Sequence, residues 1–152
     1  MDIALFQPEI AGNVGTSLRT AACFGVAAHI IEPCGFPFSL QALKRAGMDY
    51  AEQAEIHRHA NWDMFDDWRR SRQKKLILFT TKGATPLPDF TFTPDDILLF
   101  GAESSGVPDH VHDAADARVM IPMLANFRSL NVAVSAGIAL AEALRQTKGF
   151  PA

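Results

Sequence analysis

"KLILFTT" (Lys75 to Thr81) and, a short way on, "DILLFG" (Asp96 to Gly101) decide how this chain folds. Both are apolar almost without interruption over the length of a strand. A strand wetted on one side alternates apolar with polar residues. One that does not alternate is covered on both faces, the pattern of a parallel sheet between helices. Working outward, "IALF" (Ile3 to Phe6), "AHIIE" (Ala28 to Glu32) and "RVMIP" (Arg118 to Pro122) read as further strands. Helical patterns fall between them. Val14 to Phe24 is placed for Asn13 to cap and Gly25 to end. Ser39 to Ala46 is the next, then Trp62 to Arg70 behind Asn61, and last Leu130 to Thr147. Strand and helix alternate throughout, which predicts an α/β layered fold in a single domain over residues 1–152. The proline-containing stretch Ala84 to Pro94 reads as a surface loop.

Composition narrows the function classes. The 152 residues are 48% hydrophobic and 20% charged, as in a soluble globular domain with a substantial core. No apolar stretch reaches the length of a membrane span. The opening "MDIALFQPEIAGNVG" reads as strand and turn without a basic leader, so a cytoplasmic protein is expected. Cys23 and Cys34 show no metal-ligand spacing and read as packed, reduced thiols. The net charge of −3 gives no support for a nucleic-acid partner, although a local basic surface remains compatible with it.

Three turns carry candidate chemistry. "NVGTSLR" (Asn13 to Arg19) sits at a strand-to-helix junction, where main-chain N–H groups can receive an anion, and is equally an ordinary capped helix start. "FGAESSGVP" (Phe100 to Pro108) follows a buried strand at its carboxyl end, the edge at which open α/β sheets bind ligands. It lacks the G-x-S-x-G order of a nucleophile elbow, and neither a dinucleotide fingerprint nor a phosphate loop occurs. "RVMIPMLANFRSLNVAVSAGIALAEALRQ" (Arg118 to Gln146) brings Ser129 and Asn131 to the start of the last helix, as caps or as parts of a site. A parallel sheet would gather all three on one edge. The last helix is apolar nearly all round, so it is covered either by the core or by a second subunit.

Taken together, "NxGxxxR", "GxExxGxP" and "IPM…SLNVAVSAGIAL" resemble the SPOUT superfamily of RNA methyltransferases, and within it the TrmH-type 2′-O-methyltransferases. "EPCGF", "LKRAGMDY" and "TTKG" look like the minimal TrmL type, which methylates the ribose of the tRNA wobble nucleotide. The similarity runs from about Ile3 to Gln146. It implies a parallel sheet with helices on both faces, a deep trefoil knot in the carboxyl-terminal part, a homodimer, and S-adenosylmethionine as cofactor. It also implies cofactor contacts at Phe79, Thr80, Gly101, Glu103, Ile121, Met123, Ser129 and Leu130. Around the methyl-transfer site it implies a polar set of Asn13, Arg19, Glu103, Ser129 and Asn131. A guanidinium stays protonated in proteins, so Arg19 is expected to clamp phosphate and stabilise charge on the 2′-oxygen rather than act as a base.

The expected partner is the anticodon stem-loop of tRNA. "RRSRQKK" (Arg69 to Lys75), with five basic residues in seven, is the main phosphate-contact candidate, beside Lys44 with Arg45 and "HRH" (His57 to His59). Each run is also compatible with plain solvated surface. "HRH" lacks a third ligand, and no metal is expected.

Overall fold

The computed structural model describes residues 1–45, 49–50, 52–83 and 85–152. Ala46, at the end of one expected helix, Gly47 and Met48 of "LKRAGMDY", and Ala84 lie outside the described residues. The chain runs β1 (Asp2–Phe6), α1 (Ala11–Phe24), β2 (Ala27–Ile31), α2 (Leu40–Arg45), β3 (Ile56–His59), α3 (Trp62–Ser71), β4 (Leu76–Phe79) and β5 (Thr85–Pro86). It continues through a 3-10 turn at Leu87–Asp89, β6 (Ile97–Phe100), α4 (Asp109–Ala114), β7 (Ala117–Met120) and α5 (Val132–Thr147).

The sheet is ordered β3-β2-β1-β6-β4-β7-β5, and every pairing is parallel. Its central strands bury both faces, which is why their sequences do not alternate. Ile3, Leu5, Ile77, Leu98 and Phe100 point to one side, where Val14, Leu18 and Ala21 of α1 meet Ala136, Leu140 and Ala143 of α5. Ala4, Phe6, Leu76, Leu78, Ile97 and Leu99 point to the other, against Trp62 and Phe65 of α3 and Val111 of α4. Burying one large apolar side chain of this kind is worth roughly 1.5–3 kcal/mol, so the two-sided core anchors the strand ends from which the loops spring. The in-register pairs Leu5 with Phe100, Phe100 with Phe79, and Phe79 with Val119 bring four strand ends level.

Several local expectations need correction. Helix α1 begins at Ala11, so Asn13 lies inside its first turn and does not cap it. Gly25 does end it, in the left-handed conformation with φ of 66°. Ser39 caps α2, its Oγ accepting from the Ala42 N–H at 2.9 Å. Asn61 caps α3 as its position suggests, accepting from the Met64 N–H at 2.9 Å. Helix α5 begins at Val132, capped by Asn131, with Ser129 outside it. Cys23 is exposed rather than packed, whereas Cys34 is half-buried and burial pushes its thiol up to about 11.

"HRH" is strand β3, not a basic patch. Arg58 turns outward to pair with Glu32, while His59 is buried, its Nε2 3.0 Å from Nδ1 of buried His29. The basic run is also partly spent. Arg69, only 5% exposed, is held by Asp66 and Asp116, Arg70 pairs with Asp66, and Lys74 with Asp2. The run leads into β4 and therefore lies at the amino edge of the sheet, opposite the three turns.

Candidate active site

Because the strands are parallel, the turns after β1, β4, β6 and β7 share the carboxyl edge. A cavity of about 540 Å³ opens there, within the size range of small-molecule sites. Phe79 and Thr80 line it from β4, Gly101 and Glu103 from the turn after β6, and Ile121, Met123, Ser129 and Leu130 from the long loop after β7. These are all eight positions at which the resemblance implies cofactor contacts. The mixture of apolar walls, hydroxyls and main-chain polar groups suits a ligand with an aromatic ring and several hydrogen-bonding groups. Lys82 of "TTKG" lines it too, as do Asp109 and His112, for which the sequence offers no motif. The two histidine and aspartate positions belong to α4, a helix too short to stand out in the pattern of the chain.

The turn after β6 is a closed ring. Ala102 and Gly106 exchange both main-chain hydrogen bonds, at 2.9 and 2.8 Å. A Cβ on Gly101 would come 2.5 Å from the Gly106 carbonyl carbon, so only glycine fits. Gly106 has φ of 67°, the left-handed region that glycine enters without strain.

That ring aims Glu103 at the start of α1. The helix has no side-chain cap of its own, and Glu103 stands in for one from a different turn. Its carboxylate accepts from the Glu9 N–H at 2.8 Å, the Ile10 N–H at 3.3 Å and Asn13 Nδ2 at 3.1 Å. A carboxylate at a helix start also complements the positive end of the macrodipole. Asn13 in turn accepts on Oδ1 from Asn131 Nδ2 at 2.8 Å. Asn131 completes the line, its own Oδ1 accepting from the Ala133 and Val134 N–H groups at 2.8 and 3.2 Å. Donors and acceptors thus run one way, from α5 through Asn131 and Asn13 to Glu103. The orientation of each amide is fixed by the one before it.

The expected polar set therefore divides. Glu103 and Ser129 line the cavity, while Asn13 and Asn131 stand outside its lining and link α5 to the turn after β6. Arg19 does neither. It lies further along α1, is exposed, and places its guanidinium 4.9 Å from the centre of the Tyr50 ring. Glu9 was not anticipated at all, although it accepts from Ser104 Oγ at 2.6 Å and the Ser104 N–H at 2.9 Å. The carboxylate in "QPEIAG" is a weak signal, since any loop acid can be solvent-facing.

Among the described residues no group of three or more His, Cys, Asp or Glu side chains is arranged to hold a metal ion, and no helix is long and apolar enough to cross a membrane.

Comparison with known proteins identifies the family. The model of the SpoU rRNA Methylase family matches residues 1–141. A relative from Ancylobacter novellus is 51% identical over 97% of this chain and 94% of its own. One from Beijerinckia indica is 54% identical over 95% and 90%. Both bear the name tRNA (cytidine(34)-2′-O)-methyltransferase. A structure solved in work on 2-OH methylation of C/U34 on tRNA superposes with a TM-score of 0.90, at 39% identity, over 97% of this chain and 96% of that one. An AdoMet-bound rRNA methyltransferase from Sinorhizobium meliloti superposes with a TM-score of 0.84 at 31% identity, over 94% of this chain and 55% of that one. With its glycine-closed turn and the loops that meet around the cavity, the chain belongs to the SpoU rRNA methylase family.

Proposed function

We propose that this protein methylates the ribose 2′-hydroxyl of the wobble nucleotide of tRNA, a cytidine or modified uridine at position 34, with S-adenosylmethionine as donor. The observation that carries this is the single cavity where the expected donor contacts from three separate turns converge. The names of relatives more than 50% identical over nearly the whole chain supply the substrate.

When bound, S-adenosylmethionine supplies a sulfonium methyl whose carbon bonds to the 2′-oxygen as the sulfur–methyl bond breaks and the hydroxyl proton leaves. The chain has to align the two centres and stabilise the alkoxide charge. Phe79, Ile121, Met123 and Leu130 exclude water, and the hydroxyls of Thr80 and Ser129 with the main chain of Gly101 orient the ligand. Glu103, Asn13 and Asn131 keep the walls in register. Arg19, permanently charged, clamps phosphate and lowers the energy of the developing oxyanion. The proton passes to water or to a phosphate oxygen of the RNA.

The active unit in this reading is a homodimer, one domain per subunit, in the cytoplasm. Val134 and Ile138, one turn apart on α5, are 51% and 39% exposed. They form an apolar face on the helix that packs against α1, and Arg19 stands on α1 outside its own cavity. A second subunit on this face would cover it and receive Arg19. The topology supports a trefoil knot, since β7 enters between β4 and β5, laid down earlier, before α5 returns to pack on β6 and α1.

Incubating the protein with labelled S-adenosylmethionine and tRNA from a strain lacking the modification, then mapping the label, tests the proposal. Label on the ribose at position 34 is expected; label on a base would overturn it. Label on ribosomal RNA instead would favour a second reading, which the likeness to the Sinorhizobium meliloti protein supports.

A further inference from the structure

The rim of the cavity has an unusual surface. Leu124 and Phe127, 77% and 66% exposed, are the two most exposed large apolar side chains among the described residues. Both belong to the loop from β7 to α5, in which Ser129 and Leu130, just beyond Arg128, line the cavity. The loop is turned at this point by the Phe127 N–H donating to the Leu124 carbonyl at 3.0 Å, and the ring stays out in solvent. Its neighbour Arg128 is exposed, and Lys82 stands on the adjacent β4 loop, also exposed. From Arg118 to Asn131 there is no acidic residue. Two acids at the turn after β6, Glu9 and Glu103, are taken up by main-chain and side-chain donors. An exposed aromatic beside two exposed cations, in a loop with no acid of its own, matches the chemistry of an unpaired nucleotide, a flat base next to phosphate; exposed Asp109 of α4 lines the same cavity. Proteins recognise single-stranded RNA loops in this way, stacking splayed bases on aromatic rings while cations track the backbone.

We infer that Phe127 is a stacking platform for an unpaired base of the RNA substrate, at or next to the methylated nucleotide, with Arg128 and Lys82 holding the flanking phosphates. The inference rests on the reaction proposed above and adds the element that seats its substrate. Stacking engages the face of a base and leaves its edges unread, so a ring here tolerates either pyrimidine. The alternative occupant, a second copy of this chain, has its own apolar surface at Val134 and Ile138, on the body of α5.

Phe127→Ala, Phe127→Leu and Phe127→Trp, each with an anticodon stem-loop RNA, separate the possibilities. Expected for Ala is a rise of about tenfold in KM for RNA, with cofactor affinity and molecular mass in solution unchanged. Leu should be as impaired as Ala, and Trp should restore wild-type KM. The Trp variant should also lose indole fluorescence on adding RNA, beyond any change seen with the wild-type protein. Restoration by Leu, or dissociation of the Ala variant into monomers, would make the ring a subunit contact and overturn the inference. Unchanged KM in all three would leave the ring idle and overturn it equally, with the reaction intact. A wild-type protein that transfers no methyl to ribose is a different failure, removing the reaction and the inference with it.

Discussion

Glu9 and Glu103 each hold the other's turn. Glu103 accepts from the Glu9 main chain at 2.8 Å, and Glu9 accepts from Ser104, the residue after Glu103, through Oγ at 2.6 Å and the N–H at 2.9 Å. The two carboxylates differ in what replacing them should do. All three partners of Glu103 are donors, and Asn13 cannot flip to offer an acceptor because Asn131 fixes it. Glu103→Gln thus sets an amide NH2 against a donor and should cost about 1–3 kcal/mol. One partner of Glu9 is a hydroxyl, which can accept as readily as donate. Glu9→Gln should cost under about 0.5 kcal/mol. Urea denaturation of both variants measures the difference, and equal losses would refute the one-way arrangement.

Arg19→Ala should slow single-turnover methylation by about 100-fold or more, the usual effect of removing a group that stabilises an oxyanion. Arg19→Lys should keep part of the rate, because the charge remains and the planar fork is lost. Since Arg19 does not line its own cavity, co-expression with a cavity-blocked variant is informative. Mixed dimers should regain transfer if Arg19 serves the partner's cavity, and stay inactive if it serves its own.

Gly101→Ala is a suitable blocking variant. Its methyl group would lie 2.5 Å from the Gly106 carbonyl carbon, which is main chain and cannot swing aside. The ring must open, at a cost of about 1–3 kcal/mol. Calorimetric titration should find cofactor affinity at least tenfold weaker, while circular dichroism stays that of the native fold.

Stability should fall on mild acidification. Burial, helped by the neighbouring His29 and His57, holds the His59 pKa down at about 4, against 6.5 when unperturbed. Burial lowers that of His29 as well, against the pull of Asp2. Protonation therefore favours the unfolded chain. For His59 the native state has its full contribution above about pH 6.5 and loses it as pH falls toward 4, by up to about 1.4 kcal/mol per unit, and His29 acts in the same direction. Asp2 acts in a lower window. Burial raises its pKa, but His29 and Lys74 outweigh that and bring it to about 2, so its contribution goes only below about pH 4. Denaturation of His59→Phe at pH 7, 6 and 5 should show a shallower slope than the wild type. Parallel slopes would assign the titration elsewhere.

Much of this was legible in the chain itself. Uninterrupted apolar runs such as "LILF" and "ILLF" identify two-sided strands, because nothing but double coverage makes that pattern favourable. From parallel strands the meeting of the turns follows by geometry. Strand order does not follow, since placing β6 between β1 and β4 depends on contacts between residues far apart in sequence. Strand β3 escaped notice because His and Arg occupy positions where Val or Ile would have advertised it. The basic run is overcounted for a related reason: a one-dimensional count of charges cannot see that Asp66, Asp116 and Asp2 pair with Arg69, Arg70 and Lys74. Glu103 and Asn13 were marked by type and place, but their pairing depends on a turn 90 residues away.

The line of amides from α5 to Glu103 separates what keeps this molecule folded from what keeps it aimed. The apolar layers on either side of the sheet are broad and tolerate small trades among themselves. Aim depends on a handful of polar contacts, each contributing only about 1 kcal/mol net. Warming, or one altered amide, should therefore detune the enzyme well before it melts.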